Sequence, residues 1–329
     1  MSDLAPHVKV MTVPTPFKVG PVHPYVIDGE PLTLVDAGPK TEEAWQALVV
    51  GLAEHGYRLK DIERIILTHA HTDHFGLLRR VAEEADAPIY AHPRALSWLQ
   101  DAPHEWEHRA DFFYTLWVQS GVPEERLNKM RFGLAMGAQY AEALLPDMTV
   151  YEIDEGARLL LGGAEWHVLY TPGHSTSHIA LYEPHSQQMM SGDHLLLRIS
   201  SNPLLEPPER GEERRHSLVE YMSSLKRVAE MDVSVAWAGH GPPVYGHHAL
   251  ISKRLANTHA RKEKIASLMA DGPKTVYQMS QALFPDLATG ELFLGISEIV
   301  GHLDLLELEG RLCVEDRDGV LWYSVAIFA

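Results

Sequence analysis

The stretch "LTHAHTDHFG" spans residues 67–76 and holds three histidines and an aspartate within six positions: His69, His71, Asp73 and His74. The β-branched run just before it predicts a strand. His69 and His71 lie two residues apart in an extended segment that leaves this strand, so their rings point to the same side and can share one metal ion. Asp73 and His74 begin the next predicted helix and face another direction, where they can serve a second ion.

Three later segments supply side chains of the same kind. "YTPGHS" places His174 after a predicted strand and a Pro-Gly turn, "SGD" places Asp193 at the end of another strand, and "WAGHGP" places His240 after a third. Glycine stands beside each of them and permits close approach of the backbone. A loop histidine taken alone is more often a polar surface residue, but seven ligand-type residues in this order favour a metal centre.

Composition narrows the kind of metal site and the kind of partner. The chain has 329 residues, 20 histidines and a single cysteine, Cys313, so a multi-thiolate site is excluded and His and carboxylate side chains must bind any ion. The formal net charge of −17 disfavours non-specific attraction to nucleic acid or anionic lipid. No run of 18 apolar residues is present, and residues 1–16 lack the features of a signal peptide. We therefore expect a cytoplasmic protein without a membrane span.

The pattern of apolar residues predicts two domains. Residues 1–247 alternate short strands with helices, and a mostly helical segment, residues 94–147, interrupts them as a cap. Residues 248–329 read as three helices followed by a hairpin around the turn Asp316–Gly319, which is the order of a winged-helix domain. In the first domain we predict helices over 41–56 and 74–86, and strands at 31–38, 62–69, 88–91, 149–153, 157–162, 165–171, 178–183, 187–193 and 233–239.

The cap is rich in aromatic side chains, which allow two interpretations. They form the core of the cap itself, or some of them line an apolar acyl pocket. The residues concerned are Trp98, Trp106, Phe112, Phe113, Tyr114, Trp117, Phe132 and Tyr140.

Five short motifs resemble those of the metallo-β-lactamase superfamily: "LVDAG" at 34–38, "THAHTDH" at 68–74, "PGH" at 172–174, "GD" at 192–193 and "GH" at 239–240. The resemblance implies an α/β fold, the αββα sandwich of that superfamily. It also implies that His69, His71 and His174 bind a first metal ion. A second ion would be held by Asp73, His74 and His240, with Asp193 bridging the two. Asp36 would orient the ligands, and His178 either does the same or packs as an ordinary core residue.

Such a site implies a definite chemistry. Nitrogen and oxygen ligands suit two divalent ions, zinc first and iron or manganese as alternatives. A water molecule between two ions loses a proton near neutral pH, so the nucleophile would be a metal-bridging hydroxide and no catalytic serine or cysteine is needed. Asp73 is the candidate catalytic residue that holds or relays the proton.

An aspartate in the fourth motif groups the chain with glyoxalase II-like thioesterases, lactonases and nucleases. The Gly-Cys-Gly-Arg stretch that contacts glutathione in glyoxalase II is absent, and Leu196 stands where lactonases usually carry a tyrosine. With its C-terminal winged helix, the chain is most similar to the β-lactamase-like protein 2 group, which includes glyoxalase II-like hydrolases and a single-strand endoribonuclease. Arg198 either clamps an anionic group of the substrate or forms a surface ion pair.

Several functions compete on this scaffold. We predict a dinuclear hydrolase of a small ester, thioester or lactone, with a metal-dependent single-strand endoribonuclease as the alternative. Iron-dependent oxygen chemistry on the same fold would need only one ion and would leave Asp73 and His240 without a role. Binding of nucleic acid through the winged helix is disfavoured, because residues 290–310 contain five acidic residues and no Lys or Arg. We therefore interpret the winged helix as a packing or dimer module, with a homodimer as one expected assembly.

Overall fold

The computed structural model describes residues 8–326. The absence of a signal peptide was predicted from residues 1–16, and the first seven of these lie outside the described residues. Two sheets form the centre of the structure. The first sheet has the strand order β1-β2-β3-β4-β5-β6, with the strands Val8–Val10, Tyr25–Ile27, Thr33–Val35, Arg64–Ile66, Ile89–Ala91 and Val150–Glu152. The second has the order β11-β10-β9-β8-β7, where β7 to β11 are Arg158–Leu161, Ala164–Tyr170, Ile179–Glu183, Gln188–Gly192 and Val235–Ala238.

Ten α-helices accompany these strands in residues 8–326. In chain order α1 to α10 are Glu42–Glu54, Thr72–Phe75, Leu78–Ala85, Leu96–Gln100, Ala102–Gln119, Glu124–Gly137, Ser217–Ala229, His247–Leu268, Val276–Leu283 and Leu292–Leu308. None of these helices has the length and apolar content that crossing a bilayer requires.

The two sheets pack face to face and are covered by helices on both outer sides. Ile27 and Ile66 of the first sheet share a buried cluster with Val168, Leu181 and Met190 of the second. On the outer side of the first sheet, α1 and α3 bury their apolar faces against its strands. On the outer side of the second, α7 and α8 do the same. The predicted αββα sandwich is therefore confirmed.

Strand direction brings the candidate site together. β3 and β4 are parallel, and so are β10 and β11, while β8 runs in the direction of β10 because each is antiparallel to β9. The residues that follow the carboxyl ends of these strands are Asp36, His69, His174, Asp193 and His240. Parallel strands end at the same edge of a sheet. The five side chains therefore meet at one edge of the sandwich.

The helix predicted over 74–86 is interrupted in the structure. It begins earlier, at Thr72, and divides into α2 and α3 around Gly76 and Leu77. The backbone N–H of Leu77 donates to the carbonyl of Gly38 at 2.9 Å. A Cβ on Gly76 would lie 2.3 Å from the carbonyl oxygen of Tyr140 and 2.4 Å from the backbone nitrogen of Lys40. Close contact with two other segments thus fixes this break, and helical periodicity alone does not reveal it.

The C-terminal region contains α8, α9, α10 and a small antiparallel sheet. The order of this sheet is β12-β14-β13, with the strands Lys274–Thr275, Val320–Val325 and Leu312–Arg317. The predicted hairpin is present, and Asp318 and Gly319 form its turn with positive φ. One face of α10 is buried, and it consists of Leu292, Ile296, Ile299, Leu303 and Leu306. Assignment of these elements to the winged-helix class stays a prediction.

The cap lacks a core of its own in the structure. Phe113 and Trp117 of α5 belong to the same buried cluster as Ile296 and Ile299 of α10. Phe132 of α6 instead points outward and is 70% exposed. Two amphipathic segments that are far apart in sequence therefore share one core. Neither of the two interpretations of the cap aromatics anticipated this arrangement.

Candidate metal centre

The histidines that follow β4 form a triad with His174. Nε2 of His69 lies 3.1 Å from Nδ1 of His71. The ring centroid of His174 is 4.9 Å from that of His69 and 4.6 Å from that of His71. One nitrogen from each ring lies within 4.8 Å of the other two, so the three can point at a common centre.

A second triad lies beside the first and contains Asp73, His74 and His240. Asp73 and His74 both lie in the short helix α2, which begins directly after His71. Nε2 of His240 lies 3.2 Å from Oδ2 of Asp73, and the rings of His74 and His240 are 5.5 Å apart. The segment 67–76 therefore contributes side chains to both triads.

Asp193 lies between the two triads. Its Oδ2 is 3.4 Å from Nε2 of His174 in the first triad and 3.6 Å from Nε2 of His240 in the second. Its Oδ1 is 3.6 Å from Nε2 of His74. A Cβ on Gly239 would stand 2.2 Å from Oδ1, so the residue before His240 must be glycine to admit the carboxylate. The single carboxylate faces both groups of ligands.

Several buried polar atoms at this site have no hydrogen-bond partner among residues 8–326. Nε2 of His71 is one of them, and four more are Nε2 of His74, of His174 and of His240, together with Oδ1 of Asp193. Leaving a buried polar atom unpaired costs about 1–3 kcal/mol, so a cluster of four is unusual in a folded protein. All four converge on the space between the triads, and nitrogen and carboxylate donors are those of zinc and related divalent ions. The residues present therefore fit a metal site.

Asp36 forms hydrogen bonds with Thr68, the residue before His69, and with His74. It lies directly after β3 with φ of +62°, and its carboxylate accepts two hydrogen bonds from Thr68, each 2.8 Å long. Its Oδ2 also accepts from Nδ1 of His74 at 2.7 Å, which turns Nε2 of that ring toward the second triad. Such outer carboxylates fix the tautomer and orientation of metal-binding histidines. This is the contact that the resemblance implies for Asp36.

His178 uses both of its ring nitrogens. Nε2 accepts from the backbone N–H of Asp193 at 3.1 Å, so Nδ1 carries the proton and donates to Oγ1 of Thr171 at 2.7 Å. The ring has no free nitrogen for an ion. It instead fixes the backbone of the residue that lies between the triads.

Burial and neighbouring charges set the protonation states at this site. Burial, with the neighbouring histidine charges, lowers the pKa of His69 well below its usual value and that of His174 to about 4, so both rings are neutral. Burial alone would raise the pKa of Asp73, but its contact with Nε2 of His240 and the charge of His74 lower it to about 2. Burial likewise opposes ionisation of Asp193, yet the same two histidines hold its pKa well below the usual range. Burial alone would lower the pKa of His74 and of His240, but the neighbouring carboxylates raise both. Cations bind neutral imidazoles and ionised carboxylates, so a bound ion would displace a proton from each of these two rings.

One carboxylate near the site was not found by sequence reasoning. Glu206 lies in the irregular segment between β10 and α7, and its Oε1 is 3.5 Å from Nε2 of His71. Its Oε2 accepts from the backbone N–H of Thr176 at 2.6 Å. Burial opposes its ionisation, but contact with His71 and the charge of Arg109 lower its pKa to about 2. Since Nδ1 of His71 faces the triad, the anionic Glu206 attracts the proton on the opposite nitrogen.

We expect Glu206→Gln to weaken metal binding about 10–100-fold, because it removes the charge that holds the His71 tautomer. Competition with a chromophoric chelator measures the affinity. Glu209→Gln is the matched control, since Glu209 lies in the same segment but pairs with Arg94 at the surface. Equal affinities for the two variants would show that Glu206 has no part in orienting His71.

Arg198 lies at a different place from the ligand-type residues. It is exposed and lines a groove of about 800 Å³ between the segment after β10 and the C-terminal helices. Lys253, Arg254, Arg261 and Lys264 of α8 line the same groove, whereas none of the seven ligand-type residues does. No ion pair involving Arg198 is present among residues 8–326. Its contact with substrate stays a prediction.

The sequence of the chain agrees with this geometry. A family model for the metallo-beta-lactamase superfamily matches residues 17–240, a span that includes both triads and Asp193. The chain belongs to the metallo-β-lactamase superfamily. It is 40% identical over 298 residues to Probable metallo-hydrolase YqjP of Bacillus subtilis, which covers 90% of this chain and 91% of that protein.

Other superfamily members resemble the chain along most of its length. The metallo-beta-lactamase family protein TTHA1429 of Thermus thermophilus has a TM-score of 0.81 at 28% identity, covering 98% of this chain and 100% of that one. The beta-lactamase-like protein 2 homolog of Caenorhabditis elegans is 23% identical over 264 residues, 78% of this chain and 68% of that protein. The Atrochrysone carboxyl ACP thioesterase of Aspergillus fumigatus is 22% identical over 264 residues, 76% and 64% of the two chains.

Superfamily membership and the His/Asp clusters together indicate a metal-dependent hydrolase. The predicted likeness to the β-lactamase-like protein 2 group has a counterpart among these relatives, at low identity. Closer kinship with glyoxalase II, the number of ions and the choice of metal remain predictions.

Proposed function

We propose that the chain is a dinuclear metal-dependent hydrolase of a small ester, thioester or lactone. The position of Asp193 carries the proposal, because its two oxygens lie within 3.6 Å of ligand nitrogens from both triads. A carboxylate between two sets of ligands can hold two ions close together. His69, His71 and His174 hold the first ion, and Asp73, His74 and His240 the second.

Zinc is the ion we propose first, with iron or manganese as alternatives, because the donors are all nitrogen and oxygen. Bound divalent ions supply a nucleophile from water at neutral pH and polarise the carbonyl that is attacked. The remaining steps belong to protein groups. The carboxylate of Asp73 is ionised and 14% exposed, so it can accept a proton from water and pass it to the leaving group.

Two observations favour acyl substrates. In the cap, Trp98 packs against Trp106 and against Phe75, the residue after His74, and we propose that these rings form one wall of an apolar acyl pocket. One relative, 22% identical over 264 residues, is named as a thioesterase. Two acids of this region pair within the protein: Asp304 of α10 with Arg214, and Glu309, directly after α10, with Lys262 of α8. This supports a packing role for the C-terminal helices.

One observation favours the alternative, a single-strand endoribonuclease. The groove at Arg198 is lined by five cationic side chains and a single carboxylate, Glu298, in a chain of net charge −17. A cationic groove can follow a phosphate backbone. The acyl and RNA hypotheses therefore differ in whether this groove is needed.

A side-by-side assay separates the two functions. We expect the metal-loaded protein to hydrolyse at least one of a panel of aryl esters, thioesters and lactones faster than it cleaves single-stranded RNA. Acyl hydrolysis should change little with salt, whereas contacts to phosphates release counterions and make RNA binding steeply salt-dependent. Salt-sensitive RNA cleavage that outpaces each acyl substrate, and that disappears in His71→Ala, would contradict the proposal.

A further inference from the structure

The cap contains a buried arginine whose charge is not matched by hydrogen bonds. Arg109 of α5 is 9% exposed. Within residues 8–326 no group accepts a hydrogen bond from its guanidinium, and its Nε is fully buried without a partner. A buried charged group without partners is costly, so its persistence in a fold calls for a physical reason.

The surroundings of Arg109 are aromatic. The guanidinium carbon lies 5.2 Å from the ring centroid of Phe113, 5.9 Å from that of Trp106 and 6.0 Å from that of Trp98. Rings at these distances stabilise a cation through their faces but do not satisfy its five N–H donors. The guanidinium is therefore held in place with its hydrogen-bonding capacity unused.

Two neighbours relate this arginine to the metal centre. Burial lowers its pKa, and the opposite charge of Glu206 is the influence that raises it. Glu206 itself contacts His71 of the first triad. On the other side, the ring of Trp98 packs against that of Phe75, the residue after His74. Arg109 is thus linked to the metal centre through Glu206, which contacts His71, and through Trp98, which packs against the residue after His74.

We propose that Arg109 binds a carboxylate at the end of the acyl group remote from the bond that is hydrolysed. The proposal rests on the proposed acyl hydrolysis and specifies its substrate class: esters or thioesters of a dicarboxylic acid. A planar carboxylate can take two parallel hydrogen bonds from a guanidinium. The ionised Glu206 and the apolar rings nearby favour a singly charged group over a doubly charged phosphate.

The experiment compares two thioesters of N-acetylcysteamine that differ only at the remote end, glutaryl and pentanoyl. Arg109→Gln should raise KM for the glutaryl thioester roughly 10–100-fold, the range for a lost hydrogen bond to a charged group, with kcat little changed. KM for the pentanoyl thioester should change less than about twofold, since no charged contact is lost. Arg109→Lys should restore part of the glutaryl affinity.

The matched control is Arg126→Gln, because Arg126 also lies on the cap and faces an aromatic ring, that of Tyr277 at 5.8 Å, but has no contact with Glu206. It should leave both thioesters unchanged. An equal rise in KM for the two thioesters in Arg109→Gln would mean that Arg109 only supports the packing of the cap. That result would overturn the inference while leaving acyl hydrolysis intact.

A second measurement does not depend on hydrolysis. Trp98 and Trp106 flank Arg109, so the tryptophan fluorescence of the full-length protein should respond to added glutarate in the wild type and lose the response in Arg109→Gln. If no thioester is hydrolysed but this response is present, acyl hydrolysis fails and the anion site stands. A stronger response to inorganic phosphate than to glutarate would overturn the choice of a carboxylate.

Discussion

Asp193→Ala is expected to remove both ions and to lower kcat/KM by about 10³-fold or more, because several kcal/mol of charge stabilisation at the reacting carbonyl depend on them. The reason is positional. Each oxygen of Asp193 faces ligand nitrogens, and together they contact members of both triads. Loss of any single histidine leaves the other triad complete. Loss of the shared carboxylate weakens the two triads at once and leaves clustered imidazoles without a neutralising charge.

Elemental analysis and steady-state kinetics on the same preparation test this expectation. The wild type, purified without a chelator, should contain close to two equivalents of metal, and Asp193→Ala should lose metal content and hydrolysis in parallel. Asp111→Ala is the control, since Asp111 is an exposed carboxylate on α5. A well-loaded, active Asp193→Ala protein would show that this carboxylate does not link the sites. A fully active wild type with a single equivalent would contradict the dinuclear proposal.

The spacing of residues in the sequence was enough to predict that the ligand-type side chains lie at one edge of the sandwich. His69 and His71 are separated by one residue after a strand, and the two-residue period of an extended chain puts them on the same side. Asp36, Asp193 and His240 each follow the carboxyl end of a strand. In a sandwich with parallel pairs β3–β4 and β10–β11, these ends must lie together. The convergence of the seven ligand-type residues follows from local rules applied to a small number of allowed topologies.

The contacts between distant segments could not be predicted in this way. Glu206 lies in a segment without periodicity, and nothing in "SNPLLEPPE" indicates that its carboxylate reaches His71. Arg109 looks like a surface residue of an amphipathic helix until Trp98 and Trp106 are placed around it. Apolar faces on α5 and α10 are visible in the sequence, but periodicity does not say which face meets which. Their common core appears only when the whole chain is packed.

The function of Asp73 can be separated from its contribution to metal binding by comparing it with His240. Both belong to the second triad, and their side chains are 3.2 Å apart. Asp73→Ala and His240→Ala should each lower the metal content from two equivalents to about one, because each removes one of three ligands from that triad. We propose Asp73 for proton transfer because its ionised carboxylate is 14% exposed and can meet water, whereas the side chain of His240 is 1% exposed.

At equal metal content, kcat of Asp73→Ala should therefore be lower than that of His240→Ala by about 10²–10⁴-fold, the usual contribution of general acid–base catalysis. Saturating substrate isolates this difference from any change in binding. Asp73→Asn should be included in the same kcat comparison. Its side chain keeps the shape of Asp73 and one oxygen ligand, but it does not accept the proton. If all three variants show the same kcat at the same metal content, Asp73 acts only as a ligand, and the proton must be handled by solvent.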